Sequence, residues 1–414
     1  MPTPVPIPPN GVDYRGKLVL APMVRSGELP SRLTALSYGA DLVWGPETVD
    51  RALIGTVRRI NTRTGMVEYT RLPSNQTHTH DPNQGIENVI YRLDPVREKH
   101  KLIFQLGTSD AERAVAAARI VAGDVAGIDV NAGCPKPFST SGGMGAALLK
   151  APEKLAGILE ALVGAIVPEH GVGISVKIRL LETAEETELL VRRLVRTGIT
   201  GLTIHCRTTP MRPRERAIRG QLRMVAEVCR EAGVACVMNG DVESREQAER
   251  LIEEFGVDGA MIATAAEKNP SCFARGPLRS WREVVERYVV FAMEVGNKMG
   301  NTKFMLNQMV PGREQVFKMV AGCKGYEDLV TALGMGEEAI AKAKEADAAD
   351  GFALAKRARE EAKKEAARVK AEERAREREA SLKRKRDESQ GASPNKKLAD
   401  QVTEIKPAPV ANAA

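Results

Sequence analysis

The sequence predicts an α/β protein built on a (β/α)8 barrel of the TIM type, followed by a small helical domain and a charged tail, first helical and then disordered. Eight short apolar runs rich in β-branched residues lie between residues 17 and 266, each closed by a turn or a polar cluster. Most are followed by a stretch with apolar residues every three or four positions, which is typical of an amphipathic helix. Eight such units in about 250 residues fit a closed barrel, and an open doubly wound sheet is the alternative.

The eight apolar runs are the predicted strands of the barrel. In chain order they read KLVLAPM, DLVWGPE, KLIFQLGT, GIDVNAGC, GISVKIRL, GLTIHCRT, VACVMNGD and GAMIATAA. The predicted crossover helices include AERAVAAARIVAG, PEKLAGILEALVGAI, EETELLVRRLVRTG, RMVAEVCREAG and REQAERLIEEFG. Several of these stretches end in glycine, which often terminates a helix, and their alternation with the runs indicates parallel strands.

The chain is predicted to divide into five segments. They are a disordered N-terminus (1–16), the barrel (17–276), a helical domain (277–335), a charged basic helix (336–386) and a disordered tail (387–414). Residues 51–100 interrupt the barrel pattern, and INTRTGMVEYTRL and NVIYRLDP within them indicate an inserted pair of strands. We expect this insertion to form either a lid or a packing flap.

The net charge of +7 is unevenly distributed along the chain. Residues 351–386 contain 14 lysines and arginines against 7 glutamates, whereas the remainder is balanced at 47 basic and 47 acidic residues. A neutral body with a basic appendage indicates a polyanionic partner, because phosphate contacts dominate affinity for nucleic acids.

Other features of composition indicate the cellular setting. No run of about 18 apolar residues occurs and the Pro-rich start lacks the pattern of a secretory signal, so we expect no membrane segment and a cytoplasmic location. Six scattered cysteines without CxxC pairs predict reduced thiols and no metal site. Two basic clusters in residues 382–397 resemble a bipartite nuclear-import signal, and the alternative is a run that only solubilises the chain or attracts RNA. We expect a monomer.

Polar or charged residues close nearly every predicted strand. In chain order the strand ends carry Pro22, Met23, Val24, Glu47, Gln105, Asn131, Cys134, Lys177, Arg179, His205, Arg207, Asn239, Gly240, Asp241, Ala263 and Thr264. Because barrel enzymes build their sites at the carboxyl ends of the strands, we expect these residues to line one ligand-filled mouth. The alternative is a solvated rim without a ligand.

The stretch NAGCPKPFSTSGGMGAALL at residues 131–149 resembles a pattern of the tRNA-dihydrouridine synthases, Asn-x-Gly-Cys-Pro-Lys-x-Phe-Ser followed by Gly-Gly-Met-Gly-Ala. Supporting pieces are LAPMV, FQLGT, VKIRL, HCRT, NGD and NPS. The resemblance is to the eukaryotic type that modifies uridine 20 of the D-loop; it is dense over residues 17–275 and weak over 280–335. It implies FMN as cofactor, NADPH or NADH as reductant, and tRNA as the partner whose uracil is reduced.

The roles of three residues follow from the resemblance. Reduction of the 5,6 bond of uracil needs a hydride and a proton, and no side chain supplies hydride, so a cofactor must. The resemblance implies that Cys134 protonates C5 of the ring, and a buried structural thiol is the alternative. It places Lys177 beside N1 and O2 of the flavin, where a cation stabilises negative charge, with an ion pair to Glu47 as the alternative. It places His205 against the flavin, with a hydrogen-bonded structural histidine as the alternative.

The resemblance assigns further residues to the cofactor. The isoalloxazine ring would be held by Gln105 and by the backbone of Pro22, Met23 and Val24. The phosphate would lie at strands seven and eight, against Asn239, Gly240, Asp241, Ala263 and Thr264. Members of the family usually have an arginine where this chain has Thr264, so we expect weaker retention of FMN.

The substrate side of the mouth is predicted with alternatives. Asn131 is a candidate for recognising the uracil edge, while Lys136, Arg179 and Arg207 are candidates for steering tRNA phosphates, together with the Arg-rich loop 208–220. The alternative for these cations is a solvated charged surface. Nothing in the sequence resembles the double-stranded-RNA-binding domain of animal relatives, so we expect RNA affinity from the helical domain and the basic helix.

Two rival functions remain open at the level of the sequence. A barrel of this kind could use FMN to reduce or oxidise a free pyrimidine, as the dihydroorotate dehydrogenases do. Alternatively, the chain could be a non-catalytic RNA-binding barrel, which Thr264 and the basic tail would suit. The presence of Cys134, Lys177 and His205 argues against the second rival, and the helical extension with its basic tail argues against the first.

Overall fold

The computed structural model of the chain describes residues 3–71, 88–212, 214–349 and 351–390. The chain divides into two compact units, Met1–Gly351 and Phe352–Ala414. In chain order the described strands are β1 (Lys17–Leu20), β2 (Leu42–Trp44), β3 (Thr48–Val49), β4 (Val57–Ile60), β5 (Val67–Arg71), β6 (Asn88–Leu93), β7 (Leu102–Gly107), β8 (Gly127–Ala132), β9 (Gly173–Arg179), β10 (Gly201–His205), β11 (Ala235–Asn239) and β12 (Gly259–Ile262).

The described helices lie between and after these strands. In chain order they are α1 (Leu29–Ser37), α2 (Asp50–Leu53), α3 (Ala111–Val121), α4 (Pro137–Thr140), α5 (Pro152–His170), α6 (Ala184–Leu194), α7 (Leu222–Glu231), α8 (Arg245–Phe255), α9 (Thr264–Lys268), α10 (Trp281–Glu294), α11 (Met299–Met309), α12 (Gln315–Gly322), α13 (Tyr326–Ala332), α14 (Glu337–Ala349) and α15 (Gly351–Gln390).

Eight parallel strands close into a barrel. Going around it, β1 is followed by β2 and then by β7 to β12, and β12 pairs back with β1, with Leu20 opposite Ile262. Each of the eight predicted apolar runs contains one of these strands, so the predicted (β/α)8 barrel is confirmed. The closing pair of strands excludes the open sheet.

The crossover helices bury one face against the barrel. Helix α6 begins with a reciprocal capping box, in which the Thr183 hydroxyl accepts from the Glu186 backbone N–H and the Glu186 carboxylate accepts from the Thr183 N–H. Helix α7 buries Val225 and Cys229, which are one turn apart. Because each helix returns the chain to the same end of the barrel, all eight carboxyl strand ends meet at one mouth.

The N-terminus corrects the prediction that residues 1–16 are disordered. The Val5 N–H donates to the carbonyl of Gly233 at 2.9 Å, and the Asn10 N–H donates to the carbonyl of Gly171 at 2.8 Å. Tyr14 is 1% exposed and belongs to the apolar cluster inside the barrel. A Pro-rich segment forms no regular element, but here it pairs its backbone groups with loops at the amino ends of the strands.

The insertion after β2 is a sheet of three antiparallel strands, β4, β5 and β6, rather than a pair. Strand β4 was missed because all four of its residues, including Arg58 and Arg59, are exposed. Tyr69 and Tyr91, on β5 and β6, are buried in the main core of the barrel domain, so the described part of the insertion is a packing flap. Residues 72–87, between β5 and β6, lie outside the described part of the chain.

The helical domain has its own apolar core and is longer than predicted. Helices α10 to α13 supply most of that core, and α14 adds Ala343 and Ala346. The Asp347 carboxylate also accepts the backbone N–H groups of Tyr326 and Glu327, at 2.7 and 3.0 Å. The domain therefore extends to about residue 349 rather than 335. Its last helix was predicted as part of the charged basic helix, because it packs through small alanines in a charged sequence.

Helix α15 forms the second unit and is solvated along its described side chains. Its charged residues pair along one face, as Arg368 does with Glu365 and Glu372. The predicted basic helix (336–386) is thus divided between α14 and α15, and α15 continues to Gln390. The rest of the predicted tail (387–414) lies outside the described residues. Among the described helices, none is long and apolar enough to cross a bilayer.

Candidate active site

The carboxyl ends of β9 to β12 open onto a cavity of about 500 Å³. Eight of the predicted site residues line it, namely Arg179, His205, Arg207, Asn239, Gly240, Asp241, Ala263 and Thr264. Asn131 and Lys177 lie opposite each other in the pairing of β8 with β9, and Cys134 follows in the loop after β8. The structure therefore brings these strand-end residues together at one mouth.

Cys134 lies in the loop after β8 and is half-buried. The Asn131 side-chain oxygen accepts the backbone N–H groups of Gly133 and Cys134, at 2.9 and 3.0 Å, and so fixes the loop that carries the thiol. Burial, with a contribution from the charge of Glu47, raises the pKa of Cys134 above its usual range. The thiol therefore keeps its proton at neutral pH, which is the form needed for a general acid.

Asn131 and Gln105 form one hydrogen-bonded pair next to the thiol. The Gln105 side-chain oxygen accepts from the Asn131 amide at 3.4 Å, and the Gln105 amide donates to Asp129 at 2.8 Å. Both side chains therefore form hydrogen bonds within the protein through part of their polar groups. Their predicted contacts with the uracil and the flavin stay predictions, and their observed role is to order the mouth.

Lys177 lies inside the barrel near Asp129, not in an ion pair with Glu47. Burial, followed by the charge of Arg179, lowers the pKa of Lys177 to about 8, against the raising effect of Asp129. Burial raises the pKa of Asp129 to about 6, although its carboxylate accepts hydrogen bonds from Gln105 and Ser175 at 2.8 Å each. Asp129 was not predicted as a site residue, and the only sequence signal was an aspartate inside the apolar run GIDVNAG.

His205 ends β10 and is held in its neutral form. Burial, with the charges of Lys177, Arg179 and Arg207, lowers the pKa of His205 far below its usual range. Its Nε2 lies 3.1 Å from the guanidinium of Arg207, which can only donate, so Nε2 accepts and Nδ1 carries the proton. A neutral imidazole with a fixed tautomer therefore borders the cavity.

Arg179 and Arg207 are buried, with 9% and 6% of their surface exposed. Arg179 donates to the carbonyls of Gly133 and Thr208, at 2.6 and 3.1 Å, and so ties the loop before Cys134 to the loop after β10. Arg207 pairs with Asp241. The two arginines are therefore not part of a solvated charged surface, and their buried charges are poorly placed to steer tRNA over a long range. Lys136, in contrast, is exposed.

The loop after β11 shapes the far end of the cavity. Gly240 and Asp241 have φ angles of 122° and 50°, a left-handed conformation that glycine adopts most readily. The Asp241 carboxylate accepts the Ala217 N–H at 2.6 Å and pairs with Arg207, and so fixes the loop. Asn239 donates to the carbonyl of Met261 at 3.0 Å.

Helix α9 presents Thr264 and Lys268 to the cavity, one helical turn apart, and both are exposed. Among the described residues, no carboxylate forms an ion pair with Lys268. Lys268 was not predicted as a site residue, although its spacing of four from Thr264 was a usable signal, because residues i and i+4 share one helix face.

The side chain of Glu47 lies beside the Cys134 thiol rather than beside Lys177. The Ser139 hydroxyl donates to Glu47 Oε1 at 3.0 Å, and the carboxyl group lies beside Cys134 and Asn131. Burial raises the pKa of Glu47, while hydrogen bonding from Ser139, Cys134 and Asn131 lowers it in part. This carboxyl group was recognised as a strand-end residue but not as a neighbour of the thiol.

The loop after β1 borders the same mouth from the other side. Pro22 and Met23 are partly buried and Val24 is 44% exposed. The Gly27 N–H donates to the Met23 carbonyl at 2.7 Å, which turns the loop back on itself. Within the described ranges, no group of three or more histidine, cysteine, aspartate or glutamate side chains is placed to hold a metal ion.

Comparison with known proteins assigns the chain to a family. Residues 19–367 match the family described as Dihydrouridine synthase (Dus). The chain belongs to the dihydrouridine synthase family. The resemblance found in the sequence is thereby confirmed.

Two fungal relatives of the chain carry the name tRNA-dihydrouridine(20) synthase (NAD(P)+). The one from Schizosaccharomyces pombe is 49% identical over 324 residues, 77% of this chain and 65% of that protein. The one from Saccharomyces cerevisiae is 44% identical over 328 residues, 77% of this chain and 83% of that protein. The match therefore spans somewhat less than two thirds of the length of the first relative and most of the second.

More distant similarities are also present. A Homo sapiens protein named tRNA-dihydrouridine(20a/20b) synthase (NAD(P)+)-like is 26% identical over 325 residues, 77% of this chain and 92% of that protein. Among solved structures, a 2-naphthoyl-CoA reductase complex aligns at a TM-score of 0.41 and 11% identity, over 62% of this chain and 49% of that one. The fold assignment depends on the strand pairing and not on that alignment.

Proposed function

We propose that this dihydrouridine synthase reduces the C5=C6 bond of a uridine in tRNA, at position 20 of the D-loop, with FMN as cofactor and NADPH or NADH as reductant. The observation that carries the proposal is the placement of the Cys134 thiol at the mouth of the barrel, with Lys177 and His205 on the neighbouring strands β9 and β10. The names of the two fungal relatives support the choice of tRNA and of position 20.

The mouth fits a flavin mononucleotide. A cavity of about 500 Å³ is in the range of cofactor sites, and its lining combines backbone groups with a neutral imidazole and cations. Lys177 and His205 would hold the polar edge of the ring system, and the loop of Pro22, Met23 and Val24 would cover it. When bound, FMN supplies the hydride that is added to C6 of the uracil.

Lys268 would supply the charge for the phosphate end of the cofactor. Thr264 stands where the family usually has an arginine, and its hydroxyl can donate one hydrogen bond but carries no charge. Lys268 lies on the same exposed face of α9 and lines the same cavity. A lysine is a point charge rather than a bidentate donor, so it would compensate for the missing arginine only in part.

Cys134 would donate the proton to C5 of the uracil. Its loop is fixed by Asn131 and by Arg179, so the thiol has a defined position above the strand ends. Its raised pKa keeps the proton in place until the carbon becomes basic. Arg179 supports the reaction by positioning this loop, because its guanidinium is committed to two backbone carbonyls.

The polyanionic substrate would meet a basic rim at the same mouth. Lys136 is exposed two residues after Cys134, and Arg212, Arg214 and Arg216 are exposed in the loop after β10. This loop is anchored to the site, because Arg207 donates to the Glu215 carbonyl at 2.7 Å. Phosphates bound at this rim would lie close to the thiol, as a uridine extruded from an RNA loop requires.

Dihydrouridine mapping by mass spectrometry tests the proposal. Unmodified tRNA is incubated with protein, FMN and NADPH, alongside Cys134→Ala and Cys323→Ala, a matched control in the helical domain. We expect dihydrouridine at position 20 with the wild type and with Cys323→Ala, and a loss of about 10²- to 10⁴-fold with Cys134→Ala. Reduction of free uracil but not of tRNA would favour the free-pyrimidine reaction, and absence of both with flavin bound would exclude the proposed function.

A further inference from the structure

We infer that Glu47 is a proton relay, which returns a proton to Cys134 after each reduction and recovers one from water at the mouth. This inference rests on the proposed function, because it requires Cys134 to lose its proton to the substrate. It adds a residue to the reaction that neither the sequence pattern nor the strand-end position assigned to proton transfer.

The geometry places Glu47, Ser139 and Cys134 in one cluster. Ser139 is fully buried and donates to Glu47 Oε1 at 3.0 Å. Two glycines make room for the cluster. A Cβ on Gly107 would lie 2.7 Å from Glu47 Oε1, and a Cβ on Gly145 would lie 2.5 Å from both the Cys134 carbonyl and the Ser139 hydroxyl. The backbone therefore leaves space for the carboxyl group beside the thiol.

Glu47 has no paired cation among the described residues. Its Oε2 is buried and has no hydrogen-bond partner among the described residues, and none of them forms an ion pair with it. The charge of the exposed Lys136 lowers the pKa of Glu47 in part, while Lys177 lies near Asp129. A buried carboxylate without a close cation is costly, which favours the protonated acid.

The chemistry balances without a further reactant. The S–H bond of Cys134 breaks and its proton forms the new C–H bond at C5, which leaves a thiolate. The O–H bond of Glu47 then breaks as the S–H bond forms again, and the carboxylate takes a proton from water. Transfer from the carboxylic acid to the thiolate is favourable, because a carboxylic acid is ordinarily the stronger acid of the two and burial raises the pKa of both groups.

The relay predicts that the first turnover and later turnovers respond differently to substitution. Glu47→Gln keeps the size and polarity of the side chain but carries no acidic proton. Reduced enzyme mixed with tRNA should complete its first turnover within about twofold of the wild-type rate, because Cys134 starts protonated. Steady-state turnover should fall about 10- to 100-fold, because the thiolate is not restored.

Two further readouts separate a relay from mere positioning. Added acetate should raise the steady-state rate of Glu47→Gln several-fold without affecting the wild type, and Glu47→Asp should retain turnover without acetate. Iodoacetamide added directly after the first turnover should alkylate Cys134 faster in Glu47→Gln than in the wild type, because the thiolate has not been reprotonated.

The outcomes are distinguishable. Equal losses in the first and later turnovers of Glu47→Gln, without an acetate effect, would reduce Glu47 to a positioning residue and overturn the relay. Unchanged steady-state turnover would overturn it as well. If the wild type itself forms no dihydrouridine, the proposed function fails and the relay fails with it, whereas the first two results leave the proposed function intact.

Discussion

Substitution of Lys268 by methionine should weaken the binding of FMN and leave the binding of riboflavin unchanged. Both flavins share the ring system and the ribityl chain, and only FMN carries the phosphate that Lys268 would face. Thr264 and Lys268 lie on one face of α9, and both line the cavity at the far side of His205. The difference between the two ligands therefore isolates one charge interaction.

The magnitude follows from the exposure of the lysine. A unit charge pair about 4 Å apart is worth about 1 kcal/mol in water and about 4 kcal/mol at the effective dielectric near a protein surface. Lys268 is exposed, so the value should lie near the water limit, and the double charge of the phosphate raises it to about 1–2 kcal/mol. This corresponds to an increase of about 5- to 30-fold in the Kd of FMN.

Quenching of flavin fluorescence on titration with apoprotein measures both dissociation constants. Lys342→Met is a suitable control, because Lys342 is an exposed lysine paired with Glu338 in the helical domain. The effect of Lys268→Met should shrink at about 1 M salt, where charges are screened within about 3 Å, and Thr264→Arg should restore FMN binding in the Lys268→Met background. Equal weakening of FMN and riboflavin, or no change in either, would refute the reasoning.

Three further predictions follow from the buried groups. The rate of uracil reduction should fall as pH rises through the elevated pKa of Cys134, because only the protonated thiol can donate a proton. A pH profile of the single-turnover rate with tRNA checks this. A fall in rate that begins below pH 7 would point to another acid. Flavin reduction by NADPH should slow as pH rises through about 8, where Lys177 loses its charge. In Lys177→Met the same reaction should be slow at every pH. Stopped-flow absorbance of the flavin measures both rates. Tyr14→Ala should lower the free energy of unfolding by about 3–5 kcal/mol in urea titrations, because it removes a buried aromatic ring. A loss of less than about 1 kcal/mol would contradict tight packing of this ring inside the barrel.

The barrel could be predicted because its strands are buried on both faces. Such strands appear as continuous apolar runs, and each of the eight runs marks one strand. The same rule explains what was missed. Strand β4 has four exposed residues and no apolar run, and α14 packs through alanines that periodicity in a charged sequence does not distinguish from a solvated helix.

The positions of the site residues at the strand ends could be predicted from the sequence, but their hydrogen-bond and ion-pair partners could not. Strand-end residues such as Cys134, Lys177 and His205 converge because parallel strands end at one mouth. Their partners depend on contacts between distant segments, which spacing along the chain does not encode. Asp129 rather than Glu47 acts on Lys177, and Arg207 reaches Asp241 across 34 residues.

The packed N-terminal segment affects how the limits of the domain should be drawn. The family match begins at residue 19, inside β1, and a domain boundary set by that match would exclude all residues before it. Tyr14 would then be lost, although its ring occupies the space beside Gly201, where an added Cβ would lie 2.5 Å from the tyrosine, and is tilted against Trp44 with 5.7 Å between the ring centroids. A protein shortened to residues 19–367 would keep every strand-end residue of the mouth but lose the aromatic ring that closes the opposite end, so its failure to fold would say nothing about the chemistry.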